Sequence, residues 1–481
     1  MTDTTQPLFG RLLSESVSYS LIEVGQQLAA MIAVPVLFFY VTPAGFGVIT
    51  TAMVWSQLVM TVTVLALDFA LLRLYFKWSE GTRRRAYRRV AAGTSVWAVV
   101  IVLTFAALAR PIWGNGEIAL DMWLGAATGG ALGIRAVPLA VLRVTSRVRL
   151  YGAVMLGGSC LQSAVQVVLV IGGWGVRGYL VGSALAAAIT MVFALICVAR
   201  LPRSTSRLAD ESPSEFPSDL VPYAARIFPS TLFQRLVAVA DRVTLYFWGS
   251  FDGLGVYGAA SRFTIPLKFL SGGFKTALAP ALSRAEHENP MALQPLLAQA
   301  GMVLLLAMLT SAAGLSAASW LLQFTPWVDQ MRLLQQLLAL LLVAQVISGL
   351  AFLGHLRLLY SADPARANWI AVANAVSLGL ALVILVPRHG ALGAALAEVV
   401  SAMVSVIVAA FQVMRLGAEP DVWKRWVVAV ASFGPTFLAL WMLDPGLQGA
   451  VLFPMFVAYS VALVRLGRRM IGRQLSAVAQ S

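Results

Sequence analysis

The sequence predicts an all-α polytopic membrane protein: about fourteen membrane-spanning helices, with two six-helix lobes in parallel pseudo-repeat around a central cavity and two further C-terminal helices. Three observations predict it: the composition, a train of long apolar runs, and basic residues that alternate from side to side. The 481-residue chain is 59% hydrophobic and only 12% charged, with a mean hydropathy of +0.81. A soluble protein this apolar has too little polar surface to face water, so lipid must supply much of its surroundings.

A spanning helix needs about 20 mostly apolar residues. Such runs lie at residues 18–40, 46–72, 91–112, 119–141, 151–173, 178–199, 223–248 and 254–281, then at 293–318, 331–354, 367–387, 391–414, 423–443 and 447–464. The N-terminus lacks a signal-peptide pattern, so the first run is expected to remain as a membrane helix. Cys160 and Cys197 both lie in apolar runs and are expected to be small core residues, with no disulfide framework.

A formal net charge of +14 raises nucleic acid as a partner, but the placement of the charges argues for membrane orientation. With a cytoplasmic N-terminus, inward segments carry 23 basic residues and outward segments carry 4, namely Arg110, Arg177, Arg332 and Arg388. That bias holds along the whole chain and places both termini in the cytoplasm.

The halves repeat. Phe46-Gly47-Val48 before Ala52 matches Leu254-Gly255-Val256 before Ala260 at an offset of 208, and Gly175-Val176-Arg177-Gly178 matches Gly390-Ala391-Leu392-Gly393 at an offset of 215. A duplicated unit of six helices keeps its orientation, since six is even, and sets the pseudo-symmetry axis along the membrane normal. The expected organisation is an N-terminal lobe at 1–200, a Pro- and Ser-rich cytoplasmic linker at 201–222, a C-terminal lobe at 223–415, and two added helices with a tail at 416–481.

Two stretches carry a family resemblance: Pro43-Ala44-Gly45-Phe46-Gly47 leading to Leu67-Asp68-Phe69-Ala70-Leu71-Leu72-Arg73-Leu74-Tyr75, and Asp241-Arg242 followed by Gly255-Val256-Tyr257, Ala260, Arg262 and Ala277-Leu278-Ala279-Pro280. The chain resembles the polysaccharide and oligosaccharide flippases, O-antigen flippases among them. They share the multidrug/oligosaccharidyl-lipid/polysaccharide exporter superfamily with lipid II flippases and multidrug extruders. The resemblance implies two lobes working by alternating access, and a lipid-linked oligosaccharide as cargo in cell-surface polysaccharide biosynthesis, lipopolysaccharide included. It also implies the bacterial inner membrane, membrane lipids and polysaccharide-assembly enzymes as partners, and no nucleic acid.

Charges at bilayer depth cost at least about 2.5–3.5 kcal/mol on insertion scales, so they mark function by default. The spans at 223–248 and 254–281 hold Arg226, Arg235, Arg242, Arg262, Lys268 and Lys275 against one acid, Asp241, whereas the matched positions of the first half are uncharged. Arg235 and Arg242 fall roughly 20° apart on one helical face. Pro266 is placed to bend the eighth span. Arg226, Lys275 and Arg73 fit snorkelling to headgroups. Arg235, Arg262, Lys268, Arg242 and Arg135 form the candidate substrate-binding set, because arginine forks and lysine charges suit a diphosphate. Gln26, Gln27, Gln162, Gln166, Gln345 and Asn374 suit sugar hydroxyls or, equally, helix–helix contacts.

Glu398, Asp68 and Asp241 are the candidate ion-coupling acids, with Glu23 a fourth; Asp68 has Arg73 about one turn away. A proton or sodium gradient is the candidate driving force, and no cofactor or metal is implied. A membrane glycosyltransferase or polymerase is the rival from another class. His287, His355 and His389 are far apart in sequence, and no phosphate loop or nucleophile elbow is present, so no catalytic residue is assigned. A multidrug extruder and a non-transporting envelope scaffold complete the set of rival readings. The deep charges are basic, which does not suit cationic drugs.

Overall fold

Two helix starts in this chain are written in short capping motifs, and these two match across the repeat. The computed structural model describes residues 18, 21–75, 78, 80–114, 116–200, 219–268, 303–315, 327–359, 366–415 and five positions between 454 and 461. The linker through residue 218, residues 269–302, and nearly all of the last two predicted spans lie outside the described residues.

Among the described residues every regular element is helical. The elements are α1 (Leu21–Tyr40), α2 (Pro43–Val64), α3 (Leu67–Leu74), α4 (Glu80–Trp113), α5 (Gly116–Val144), α6 (Val148–Leu169) and α7 (Gly175–Ala199), then α8 (Leu220–Trp248), α9 (Phe251–Phe263), α10 (Val303–Leu315), α11 (Met331–Leu359) and α12 (Arg366–Met414). Seven of the described stretches are long and apolar enough to cross a membrane. Two of them, Val148–Ala199 and Asn368–Met414, reverse at glycines and so hold two predicted spans each. The protein is a multi-pass, all-α membrane protein. Its chain forms two compact units, Met1–Val243 and Thr244–Ser481.

The repeat is visible inside each unit. The Thr42 hydroxyl accepts from the Gly45 N–H at 3.3 Å and caps α2, and Ser250 accepts from the Gly253 N–H at 3.1 Å and caps α9. These pairs match at the offset of 208. Gly175 and Gly390 turn with nearly identical angles, φ 53°, ψ −129° and φ 54°, ψ −129°. A Cβ on Gly45 would meet Val176, and one on Gly253 would meet Ala391, so the same turns face each other in both units.

Close packing in the first unit rests on small residues. A Cβ on Gly125 or Gly129 would strike the Ala52 or Ser56 carbonyl, and one on Gly133 would lie 2.6 Å from the Thr63 methyl. This spacing of four lets α5 press directly on the α2 backbone, the device that replaces hydrophobic driving force between membrane helices. Thr50, Thr51 and Thr61 return their hydroxyls to carbonyls four residues back, which satisfies these three donors within α2. The second unit is packed differently, with Leu304, Leu305, Met308 and Leu309 of α10 against Leu338, Leu342, Val346 and Leu350 of α11.

Four expectations need correction. The second span is not one helix: Leu65 (φ 51°) and Ala66 (φ 59°) are left-handed and separate α2 from α3. The break leaves the Val62 carbonyl without its Ala66 donor, and the Trp97 indole N–H of α4 donates to it at 3.0 Å. The third span begins much earlier than 91, because the arginine-rich segment from Arg83 to Arg89 continues α4 as good helix formers; Arg83 lies over the Tyr75 ring at 4.9 Å. The turn expected at 174–177 lies instead at Gly173–Gly175. Cys160 is exposed rather than part of the core, since an apolar run in a membrane helix serves lipid-facing and buried positions alike. Near Pro266, α9 ends at Phe263, Thr264 interrupts the helix, and a helical turn resumes at residue 265.

Two predictions follow from this packing. Gly129→Val should destabilise the protein by at least about 1–3 kcal/mol, the cost of overpacking a tight contact. Gly93→Ala, where nothing lies within 4 Å, should be neutral or stabilising. Thermal unfolding of detergent-purified protein checks both. Ala66→Gly removes a left-handed strain of about 1–2 kcal/mol and should raise the melting midpoint; an unchanged or lower midpoint would contradict the helix break.

Candidate functional site

Where a helix carries a charge at mid-span, neighbouring side chains must receive it. Arg135 lies in the C-terminal half of α5, within its membrane-spanning part. Its Nη1 donates to the Thr190 hydroxyl of α7 at 3.2 Å, and that hydroxyl in turn donates to the Ala186 carbonyl at 2.8 Å. Gly158 of α6 makes the space: a Cβ there would lie 2.8 Å from the Thr190 methyl and 3.4 Å from Nη1. Tyr151 stands within electrostatic reach. The Nε atom is buried without a hydrogen-bond partner, and no carboxylate pairs with Arg135 among the described residues. A guanidinium held this way keeps part of its donor fork for an anion.

Near the helix break, Asp68 stands within electrostatic reach of Arg143 and Arg235. Asp68 is half-buried in the first turn of α3. Its carboxyl accepts from the backbone N–H groups of Asp68 and Phe69. It does not pair with Arg73, which instead lies over the Tyr223 ring at 5.4 Å. Glu23 is no lone acid either: Arg143 bridges to it at 3.2 Å and donates to the Tyr151 hydroxyl at 2.8 Å. Arg235 is exposed on α8, Arg242 is half-buried, and Asp241 is only 6% exposed.

In the second unit, Arg262 lies half-buried in the last turn of α9, and Lys268 is exposed beyond the break at Thr264. Glu398 is half-buried in α12 and shares a helical face with Ser401 and Ser405. Ser405 donates to the Asn374 side chain at 3.3 Å, so Asn374 serves a helix–helix contact. So does Gln166, which donates to Ser183 at 2.7 Å. The offset of 215 aligns Thr190 with Ser405 and Ser183 with Glu398. The acid therefore stands where the first half has a neutral hydroxyl.

Sequence reasoning missed one ionic cluster. Arg177, in sequence only one of four outward charges, binds Glu117 at 3.0 Å and lies 3.8 Å from Asp121, joining the starts of α5 and α7. The available signal was the i, i+4 spacing of the two acids.

A family model described as polysaccharide biosynthesis protein matches residues 12–286, more than half of the chain. The chain belongs to this polysaccharide biosynthesis family. No curated protein sequence matches it. Among solved structures it is similar to a lipid II flippase, MurJ, in an inward closed conformation, with a TM-score of 0.68 and 15% identity over 92% of this chain and 99% of that one. It is also similar to an inward-facing multidrug resistance MATE family transporter of the MOP superfamily, with a TM-score of 0.60 and 16% identity over 83% and 96% of the two chains. A point mutant of the Vibrio cholerae MATE transporter VcmN gives a TM-score of 0.51 and 13% identity over 88% and 95%. At these identities the likeness establishes the fold: this member of the family has the all-helical fold of MOP-superfamily transporters.

Thr190→Val removes the hydrogen-bond acceptor that Arg135 finds among the described residues and should lower unfolding free energy by about 1–3 kcal/mol. Thr190→Ser should retain most of it. Equal melting midpoints for the three proteins would contradict the assigned bond.

Proposed function

We propose that the protein moves a polyprenyl-diphosphate-linked oligosaccharide from the cytoplasmic to the outer leaflet of a bacterial inner membrane by alternating access, for cell-surface polysaccharide biosynthesis. The observation that carries this reading is Arg135. In a family of polysaccharide biosynthesis, it is a guanidinium within a membrane-spanning helix, with a buried, unused N–H and no carboxylate partner among the described residues. A diphosphate supplies the missing acceptors, and arginine matches its oxygens in a way that sugar hydroxyls do not require. Arg235, Arg242, Arg262 and Lys268 are assigned to the same cargo as further cations along the path. The lobes at 1–200 and 223–415 are the moving bodies, and the 23-to-4 distribution of basic residues sets both termini in the cytoplasm.

Glu398 is proposed as the acid that couples transport to a proton or sodium gradient, supported by its replacement of a neutral serine in the aligned half. Asp68, near two arginines and backbone donors, suits an anion-holding structural role better than cation binding. Multidrug transport is the second reading, favoured by the fold shared with MATE transporters; the basic character of the deep charges supports the anionic cargo instead.

The test is surface polysaccharide in cells that depend on this protein, comparing wild type with Arg135→Gln, Arg235→Gln, Arg262→Gln and Lys268→Gln at matched membrane levels. Each lost charge-assisted hydrogen bond weakens binding by about tenfold or more, and export should fall in at least the Arg135 variant. Normal export from all four, with cationic dye efflux instead, would establish the drug-transport reading.

A further inference from the structure

A groove outside the proposed cargo path lies between the last turns of α4 and the first turns of α5. It has a volume of about 490 Å³ and is lined by Ala106, Ala107, Arg110, Gly116, Leu120 and Trp123, among others. That volume falls within the roughly 300–1,000 Å³ of small-molecule sites. Alanines make the recess, since larger side chains on either helix would close it.

Three features of the groove point to one kind of occupant. First, Arg110 is in the last turn of α4, next to the Gly114 turn, and so lies at headgroup depth. It is exposed, and no hydrogen-bond or ion-pair partner is found for its side chain among the described residues; the acids that begin α5, Glu117 and Asp121, both face Arg177. Second, Pro111 has no N–H for the Ala107 carbonyl, so a carbonyl on the groove wall is left to accept from a ligand. Third, the surface descending from the groove is apolar and open: Leu103, Leu108 and Leu120 are 62%, 51% and 45% exposed.

A cation and a free acceptor in one groove, above an apolar slope, match a phosphate, a headgroup hydroxyl and acyl chains. We propose that this groove binds one anionic glycerophospholipid with a hydroxyl-bearing headgroup, of the phosphatidylglycerol type. Arg110 takes its phosphate, and the Ala107 carbonyl accepts from its headgroup hydroxyl. A zwitterionic lipid carries its own cation beside the phosphate and competes with Arg110 for it, so the site prefers the anionic lipid. The bound lipid packs α4 against α5 at the end where their own contact opens.

The experiment is native mass spectrometry of the purified full chain titrated with phosphatidylglycerol or phosphatidylethanolamine, for wild type, Arg110→Gln, Ala107→Trp and the distal control Arg149→Gln. Wild type and control should retain one phosphatidylglycerol in preference to phosphatidylethanolamine. Arg110→Gln should weaken phosphatidylglycerol retention about fivefold, the contribution of one interfacial cation, and should erase the preference. Ala107→Trp, which fills the groove from an exposed position, should abolish retention without lowering the melting midpoint. Unchanged phosphatidylglycerol retention in both variants overturns the proposal. Displacement of the lipid by a polyprenyl diphosphate at equal concentration overturns it too, and makes the groove a cargo site.

Discussion

No water reaches the hydrocarbon core of a bilayer, so every backbone N–H and C=O there must find its partner within the protein. This constraint makes the chain helical, and it decides what happens where a helix stops. At Leu65–Ala66 the ladder is interrupted, and the Trp97 indole takes the carbonyl of Val62. At Ser163 a hydroxyl donates at 2.7 Å to the carbonyl of Ala29, just before the irregular turn at Ile32. At the turns before α2 and α9, Thr42 and Ser250 take the N–H groups of Gly45 and Gly253. At these four places a side chain takes the freed backbone group, which is how a membrane helix bends without leaving polar groups in lipid.

The same constraint explains which features were legible from residues alone. Long apolar runs and the alternating cations located the spans, because hydropathy and charge act on whole segments. The repeat was legible at Gly47/Gly255 and at Gly175/Gly390, and at the second pair a positive φ requires glycine. The spacing of Gly125, Gly129 and Gly133 was also open to reading as a small-residue contact face. The break at Leu65–Ala66 was not legible: neither residue is glycine or proline, and the left-handed pair persists only because the packing around it over-determines the backbone. The partners of Arg135 were equally hidden, since Thr190 and Gly158 lie on two other helices. Arg135 was legible as a charge and opaque as a site.

The two halves carry matched caps at Thr42 and Ser250 and matched turns at Gly175 and Gly390, and none of these four positions is charged. Departures from the symmetry then identify what was added. The first half places Arg135 against Thr190 and Gly158, while the second places Ser405 against Asn374 at the aligned positions and puts Glu398 where Ser183 stands. In the proposed account the cations serve an anionic cargo and Glu398 serves the coupling ion.

The claim at the centre of this account is that the negative charge of the cargo is what the protein recognises. The most direct measurement is translocation in proteoliposomes of two lipids with the same glycan and polyprenol, one joined through a diphosphate and the other through an uncharged linkage. The account predicts that the diphosphate-linked lipid crosses at least about tenfold faster, as expected when charge-assisted hydrogen bonds to arginine are lost. Equal rates for the two lipids would contradict it.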